Sequence, residues 1–351
     1  MPMVVLGIDA HKRTHTVVAV DEVGRQLGVR VTKTTSTAAH LELVCWADRF
    51  GPDRRWAVED CRHLSRRLER DLLAAGERIV RVPPKLMAHA RDSARTYGKS
   101  DPIDALAVAR AALREPGLPT ARLDGPEREL RLLVDHREDL VAERTRAINR
   151  LRWHLHELDP SWDPRPRSLS RRTNLDAAAA RLAAMEGMVA RIAAGLIVRI
   201  GALTIEANAL EKEISARVRQ LAPSLLALPG VAALTAAKII AETAGVGRFR
   251  SKDAYARHNG TAPLPAWSAN PLRHRLSRTG NRQLNCAIHR IAVTQKRCHP
   301  AAQAYLQRRT TLGDTPTEAL RALKRRLSDI IYRTLQADSA QTATAPLGQA
   351  A

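Results

Sequence analysis

Four carboxylates and one serine carry the chemistry that can be read from this chain. Asp9 closes an apolar run from Val4, Glu59 closes a second run from Arg55, and Asp101 and Asp104 stand three apart at a Ser100-Asp101-Pro102 helix start. Acids at strand ends and on one helix face can converge on a divalent cation, Mg2+ or Mn2+, which keeps waters and takes a substrate phosphate as a further ligand. Two such ions would activate the attacking oxygen of a phosphodiester cleavage and stabilise the leaving one. Ser268 lies in the Pro-rich stretch Gly260 to Asn270, among Arg273, Arg275, Arg278 and Arg282. Carboxylates alone imply hydrolysis. Carboxylates with a serine nucleophile, its transition-state charge met by arginines, imply breaking and rejoining DNA.

Each residue also has a plainer reading. Asp9 can simply end a strand, and Asp60 competes with Glu59. Asp101 before Pro102 makes a good N-cap, and Asp104 a good first-turn acid. A loop serine among prolines is commonly just solvated. Cys286, His289, Cys298 and His299 fit no common zinc spacing.

The elements that must position these residues follow from periodicity. Val4 to Asp9, Thr14 to Asp21 and Gln26 to Thr35 read as strands. A helix from Thr37 to Arg49 follows, then the strand Arg55 to Glu59, a helix from His63 to Ala75 closed by Gly76, and the strand Glu77 to Val82. Three strands followed by alternating helix and strand is an RNase H-like (RuvC-like) α/β plan rather than a Rossmann one, here over residues 1–120. Residues 121–222 read as a helical, coiled-coil dimerisation segment. Val134, Val141, Ile148 and Leu155 repeat every seven residues beside Leu130, Arg137, Arg144, Leu151 and Leu158, and a second stripe runs Leu182, Val189, Leu196, Leu203, Leu210. An ordinary half-buried helix pair fits the same pattern, since two arginines sit in the seam. Pro160 to Arg172 reads as a basic, mobile loop. Residues 223–337 read as a basic, mainly α domain, and 338–351 as a disordered tail rich in Ala, Gln and Thr. Leu228-Pro229-Gly230-Val231, followed by Lys238, resembles a helix-hairpin-helix whose backbone N–H groups meet a DNA phosphate.

Charge points the same way. The net charge is +21, and residues 223–351 hold 19 Lys and Arg against 6 acids, whereas residues 1–120 hold 20 against 15. A basic excess confined to one third of the chain marks a polyanion-binding surface. Aromatic residues are 3%, which excludes a base-stacking platform for single strands. The four cysteines show no CxxC pairing, so a reducing cytoplasm, with the protein associated with the nucleoid, is the expectation. No membrane partner is expected, because Arg191 and Arg199 interrupt the most apolar run.

Taken in order, Gly7-Ile8-Asp9, Val58-Glu59 and Lys99-Ser100-Asp101-Pro102-Ile103-Asp104-Ala105 resemble the RuvC-like half of the IS110-type DEDD insertion-sequence transposases. The second half is similar to that family in Leu228-Pro229-Gly230-Val231, Gly260-Thr261-Ala262-Pro263, Ser268 and Ser277-Arg278-Thr279-Gly280-Asn281-Arg282. The resemblance implies a DNA transposase in which Asp9, Glu59, Asp101 and Asp104 bind metal and Ser268 forms a covalent serine–DNA intermediate. Ser277 is the competing serine, and Ala269 stands where the family usually has Gly. Nucleic-acid contacts are expected from Pro229, Gly230 and Lys238 of the hairpin and from Arg273, Arg275, Arg278, Asn281 and Arg282 of the basic stretch. The implied partners are double-stranded target and donor DNA, a structured guide non-coding RNA, and further copies of the chain up to a tetramer. A metal-dependent, junction-resolving nuclease without serine chemistry, or an inactive DNA- or RNA-binding protein, are the rival readings.

Overall fold

The structure is a computed structural model that describes residues 3–59, 64–83, 86–87, 100–115, 118, 120–121, 125–265, 274–275 and 280–344. The chain divides into two compact units, Met1–Asp124 with Arg248–Arg250, and Gly125–Gly247 with Ser251–Ala351.

The first unit is built on five strands: β1 (Val4–Ala10), β2 (Thr14–Val20), β3 (Gln26–Lys33), β4 (Arg54–Glu59) and β5 (Ile79–Val82). Their order is β3-β2-β1-β4-β5. The first three pair antiparallel through short hairpins, and β4 and β5 add in parallel after helical crossovers, as the RNase H-like plan requires. Every residue of β1 is buried, because helices cover both faces of this central strand. Leu6 and Ile8 join Trp56, Val58 and Ile79 against α1 (Thr37–Asp48) and α2 (Arg66–Ala74). Val5, with Ala57, Val80 and Val82, faces Ala105, Val108, Ala109 and Ala112 of α3 (Asp101–Arg114). Ser36 caps α1, accepting from the Ala39 amide at 3.2 Å, and Gly76 follows α2 at φ +83°.

Helix and sheet approach closely at Gly7. A Cβ there would lie 2.2 Å from the Ala105 carbonyl oxygen and 2.5 Å from the Ala109 nitrogen, both backbone atoms of α3. The alanines of α3 and the bare Cα of Gly7 let the helix lie directly on β1.

The second unit is helical. Its main feature is an antiparallel pair, α4 (Pro126–Leu158) and α6 (Met188–Leu221), with the shorter α5 (Arg172–Leu182) between them in the chain, stitched by Glu129–Arg217 at 2.7 Å, Arg137–Glu211 at 2.6 Å and Glu143–Arg199 at 2.6 Å. The two seam arginines therefore have partners, Arg137 in Glu211 and Arg144 in the Thr204 hydroxyl. Of the expected stripe, Leu182 and Leu203 are buried, whereas Val189, Leu196 and Leu210 are half-buried. The buried residues of α6 are Ala190, Ala193, Ile197, Ile200, Leu203, Ala207, Ile214 and Val218. Ala190, Ala193 and Ala207 leave room for a close approach between the larger Ile197, Ile200, Leu203 and Ile214.

Three further expectations are corrected. Pro160 to Arg172 is anchored: Leu169 is buried, Arg181 stacks on Trp162 at 4.1 Å, and Arg152 pairs with Asp163 at 2.7 Å. The stretch from residue 338 is no coil as far as it is described, since α12 (Pro316–Thr344) runs through it. Alanine and glutamine favour helix, and the buried Asp338 accepts from the Ser224 amide at 3.2 Å. Finally, residues 125–222 form one unit with the helices that follow rather than a separate segment. These are α7 (Pro223–Leu226), α8 (Ala233–Thr243), α9 (Lys252–His258), α10 (Arg282–Cys298), α11 (Pro300–Thr311) and α12. Among the described residues α6 is long and apolar enough to cross a bilayer by length and composition, yet here its seam is packed on α4 and two of its arginines are ion-paired.

Two outcomes follow from this packing. Gly7→Ala forces α3 off the sheet, and its unfolding free energy in denaturant should fall by about 2 kcal/mol. His15, 1% exposed beside the His40 ring, is held down at about 4, first by burial and then by the charges of His40 and His11. Because the folded value is depressed, its stabilising contribution is complete above about pH 6.5 and is lost as pH falls towards about 4. Denaturant titrations of wild type and His15→Phe across that window should diverge by up to about 3 kcal/mol, the wild type being the more acid-labile.

Candidate active site

The strand register assembles the carboxylates. Ile8 pairs with Val58, so the next residues, Asp9 and Glu59, stand side by side on neighbouring parallel strands. Side chains alternate across a sheet, so Asp9 and Glu59 share the face of Val5, Gly7 and Ala57, which is the face that α3 covers. Since Gly7 meets Ala105 and Ala109, the N-terminus of α3 lies over the C-terminal ends of β1 and β4. Asp101 and Asp104 are in that first turn, and Ser100 rather than Asp101 stands at the N-cap position, with no side-chain capping hydrogen bond.

His11, in the turn after β1, completes the group. Its Nε2 is 3.0 Å from Asp9 Oδ2 and 3.4 Å from Asp101 Oδ1. One donor atom from each of Asp9, His11 and Asp101 lies within 4.8 Å of the others. Asp9 is buried, Glu59 and Asp104 half-buried, and Asp101 exposed. Burial holds the Asp9 carboxyl above its ordinary range; His11 pulls it down, and the nearby charges of Asp104 and Asp101 push it up. A cation would relieve that repulsion. The donor set fits one, because ligands on neighbouring corners of an octahedron of radius about 2.1 Å are about 3.0 Å apart. His11 escaped the reading of the sequence, although a histidine two residues beyond a strand-terminal acid is a signal that could have found it.

The serine region is defined at its stem. Ser268, Ser277, Arg273 and Arg278 lie outside the described residues. Around them, β6 (Leu264–Pro265) pairs antiparallel with β7 (His274–Arg275). A Cβ on Gly280 would fall 2.2 Å from the Gly260 nitrogen, and the Asn281 amide donates to the His258 carbonyl at 2.6 Å. Beneath this stem, buried Asn259 donates to Ser328 Oγ at 2.7 Å, Asn285 donates to the Asn259 carbonyl at 2.7 Å, and Lys324 Nζ donates to Asn285 Oδ1 at 2.6 Å. Both ends of the serine segment are thus held together by a buried polar network.

Of the expected nucleic-acid contacts, Arg282 is exposed at the start of α10. Asn281 is committed to structure: it caps α10 by accepting from the Leu284 amide at 3.0 Å and donates to Glu242 at 2.6 Å. Lys238 is a correction. It is 8% exposed, with Nζ 2.7 Å from Glu138 and 3.6 Å from Asp135, so its charge is spent inside the fold. Pro229 and Gly230 are exposed, Gly230 at φ +80°, and Gln295 donates to the Pro229 carbonyl at 2.7 Å. The helix immediately before that hairpin, α7, has only 4 residues.

The family model of the IS110-type DEDD transposases matches residues 6–160, and that of the IS116/IS110/IS902 transposase family matches residues 222–307. The chain is 29% identical to the 42 kDa protein of insertion element IS900 of Mycobacterium paratuberculosis, covering 94% of this chain and 95% of that one. It is 27% identical to the 44.8 kDa protein of insertion element IS116 of Streptomyces clavuligerus, covering 99% and 98%. Among solved structures, Thermus thermophilus RuvC in complex with a Holliday junction substrate matches at 20% identity and a TM-score of 0.26, over 32% of this chain and 93% of that one.

Because burial raises Asp9, its charge costs stability as pH rises through the carboxylate range, and that cost is absent in acid. Asp9→Asn should raise the metal-free unfolding free energy by about 1 kcal/mol at neutral pH, give no gain near pH 3, and remove the rise in melting temperature that a divalent cation gives the wild type.

Proposed function

The chain belongs to the IS116/IS110/IS902 family of transposases, and we propose that it cuts and rejoins insertion-element DNA through a serine–DNA intermediate. Support for the catalytic half comes from one observation above others: Asp9, Glu59, Asp101 and Asp104 occupy the α3-covered face at one end of the central strands. When bound there, divalent metal supplies charge neutralisation at the phosphate and a more acidic attacking group. The carboxylates hold it, and Asp9 and His11 fix each other's orientation through their hydrogen bond.

In this reading Ser268 Oγ attacks a backbone phosphorus. Its proton passes to a neighbouring base, the phosphodiester to the leaving DNA oxygen breaks, and that oxygen takes up a proton. Attack by a hydroxyl of the second DNA on the phosphoserine ester releases Ser268 and rejoins the strands. The paired stem of β6 and β7 and the Gly260–Gly280 contact would hold the serine segment for this attack. Arginines of the basic region meet the phosphates as forked donors.

The serine of one protomer would act with the carboxylates of another, in an assembly of two to four copies. An exposed heptad row on α6, Gly195, Val198, Ala202, Ile205 and Ala209, suits contact with a second copy. Choice of target and donor is assigned to a structured non-coding RNA, by resemblance to the family. The rival reading, a metal-dependent nuclease in which Ser268 is a bystander, draws on the same carboxylates.

Incubation with insertion-element DNA followed by denaturing electrophoresis separates the two. Ser268→Ala should abolish the covalent protein–DNA species and all strand transfer, while Ser277→Ala retains them. Cleavage by Ser268→Ala at wild-type rate would instead establish the metal-only reaction.

A further inference from the structure

We propose that His11 is a nitrogen ligand of the metal site and makes one of its positions favour first-row transition ions such as Mn2+ over Mg2+. The proposal rests on the carboxylate reading above and adds a residue to it. A single imidazole nitrogen, Nε2, faces two carboxylates at once, 3.0 Å from Asp9 Oδ2 and 3.4 Å from Asp101 Oδ1. One N–H can point along only one of those lines, so a hydrogen bond accounts for one contact and leaves the other oxygen beside the same nitrogen. A cation shared by three donors accounts for both, and the spacings match adjacent corners of an octahedron of radius about 2.1 to 2.4 Å.

Backbone geometry holds the ring there. His11 follows β1 directly, and its amide donates to the Thr14 carbonyl at 3.0 Å, closing the turn into β2. The side chain is 48% exposed, so it is not required by the core and is free to bind an ion arriving from solvent. In the metal-free chain Nε2–H donates to Asp9. For ligation the ring carries its proton on Nδ1 and offers the Nε2 lone pair.

The chemistry of the donor sets the preference. Three or four carboxylates alone suit Mg2+, Ca2+ and Mn2+ alike, whereas imidazole steepens affinity along the first transition row and adds little for Mg2+. With His11 in the shell, Mn2+ is favoured at that position and Mg2+ is not.

The test uses the full-length protein, without nucleic acid, and Mn2+ alone as the probe. Electron paramagnetic resonance counts bound Mn2+, spin-echo modulation detects a coordinated nitrogen, and added Mg2+ measures competition. Wild type should show nitrogen modulation. His11→Ala should lose it, bind Mn2+ about tenfold more weakly, and keep its Mg2+ affinity. His11→Gln, which retains a hydrogen-bonding group but no imidazole, should behave as His11→Ala does. If wild type binds Mn2+ without nitrogen modulation, and Asp9→Asn abolishes that binding, His11 is only a hydrogen-bond partner and the proposal falls while the carboxylate site stands. If Mn2+ fails to bind the wild type, or binds it indifferently to Asp9→Asn, the carboxylate reading falls with it.

Discussion

The contact on which the first unit depends is the packing of α3 on β1 at Gly7. Replacing a hydrogen by a methyl there would put a carbon 2.2 Å from a backbone oxygen. Because no side chain intervenes, the helix lies flat on the central strand. Its first turn then reaches the strand ends where Asp9 and Glu59 emerge. A helix held a few ångströms further out would carry Asp101 and Asp104 away from Asp9 and Glu59, and the four carboxylates would no longer share one site.

That arrangement has an electrostatic cost within the fold. Asp9 is buried, and the acids of α3 oppose its charge. Such a site is stable only because the rest of the unit is well packed: β1 is buried along its whole length, with apolar clusters on both faces of the sheet. The cost is also what makes the site useful, because a cation that relieves it binds with that free energy.

The second unit solves a different problem, that of holding a basic surface together. Many of its charges are consumed internally. Arg137, Arg199 and Arg217 tie α4 to α6, Lys238 is buried against Glu138, and Lys324 supports the stem of the serine segment through Asn285. A count of basic residues therefore overstates the phosphate-binding surface, and Lys238 is the residue at which that difference shows.

Much of the catalytic unit was legible in the chain itself. The apolar run from Val4 to Asp9, the Ser100-Asp101-Pro102 start and the Gly76 stop depend on residues only a few positions apart, and local sterics and chain propensities decide them. The basic skew of residues 223–351 is likewise a property of composition. What the chain alone could not supply is which residues meet. His11 joins the carboxylates through the β1–β2 turn, and the packing of α6 on α4 decides that Ala193, Ile200, Ala207 and Ile214 are buried while Val189, Leu196 and Leu210 are only half-buried. Residues 338–344 are helical because α12 runs through them to Thr344 and Asp338 accepts from the Ser224 amide. Sequence sets periodicity and the chemistry available at each position. The tertiary structure decides convergence, because distances between segments far apart in the chain depend on every packing contact between them.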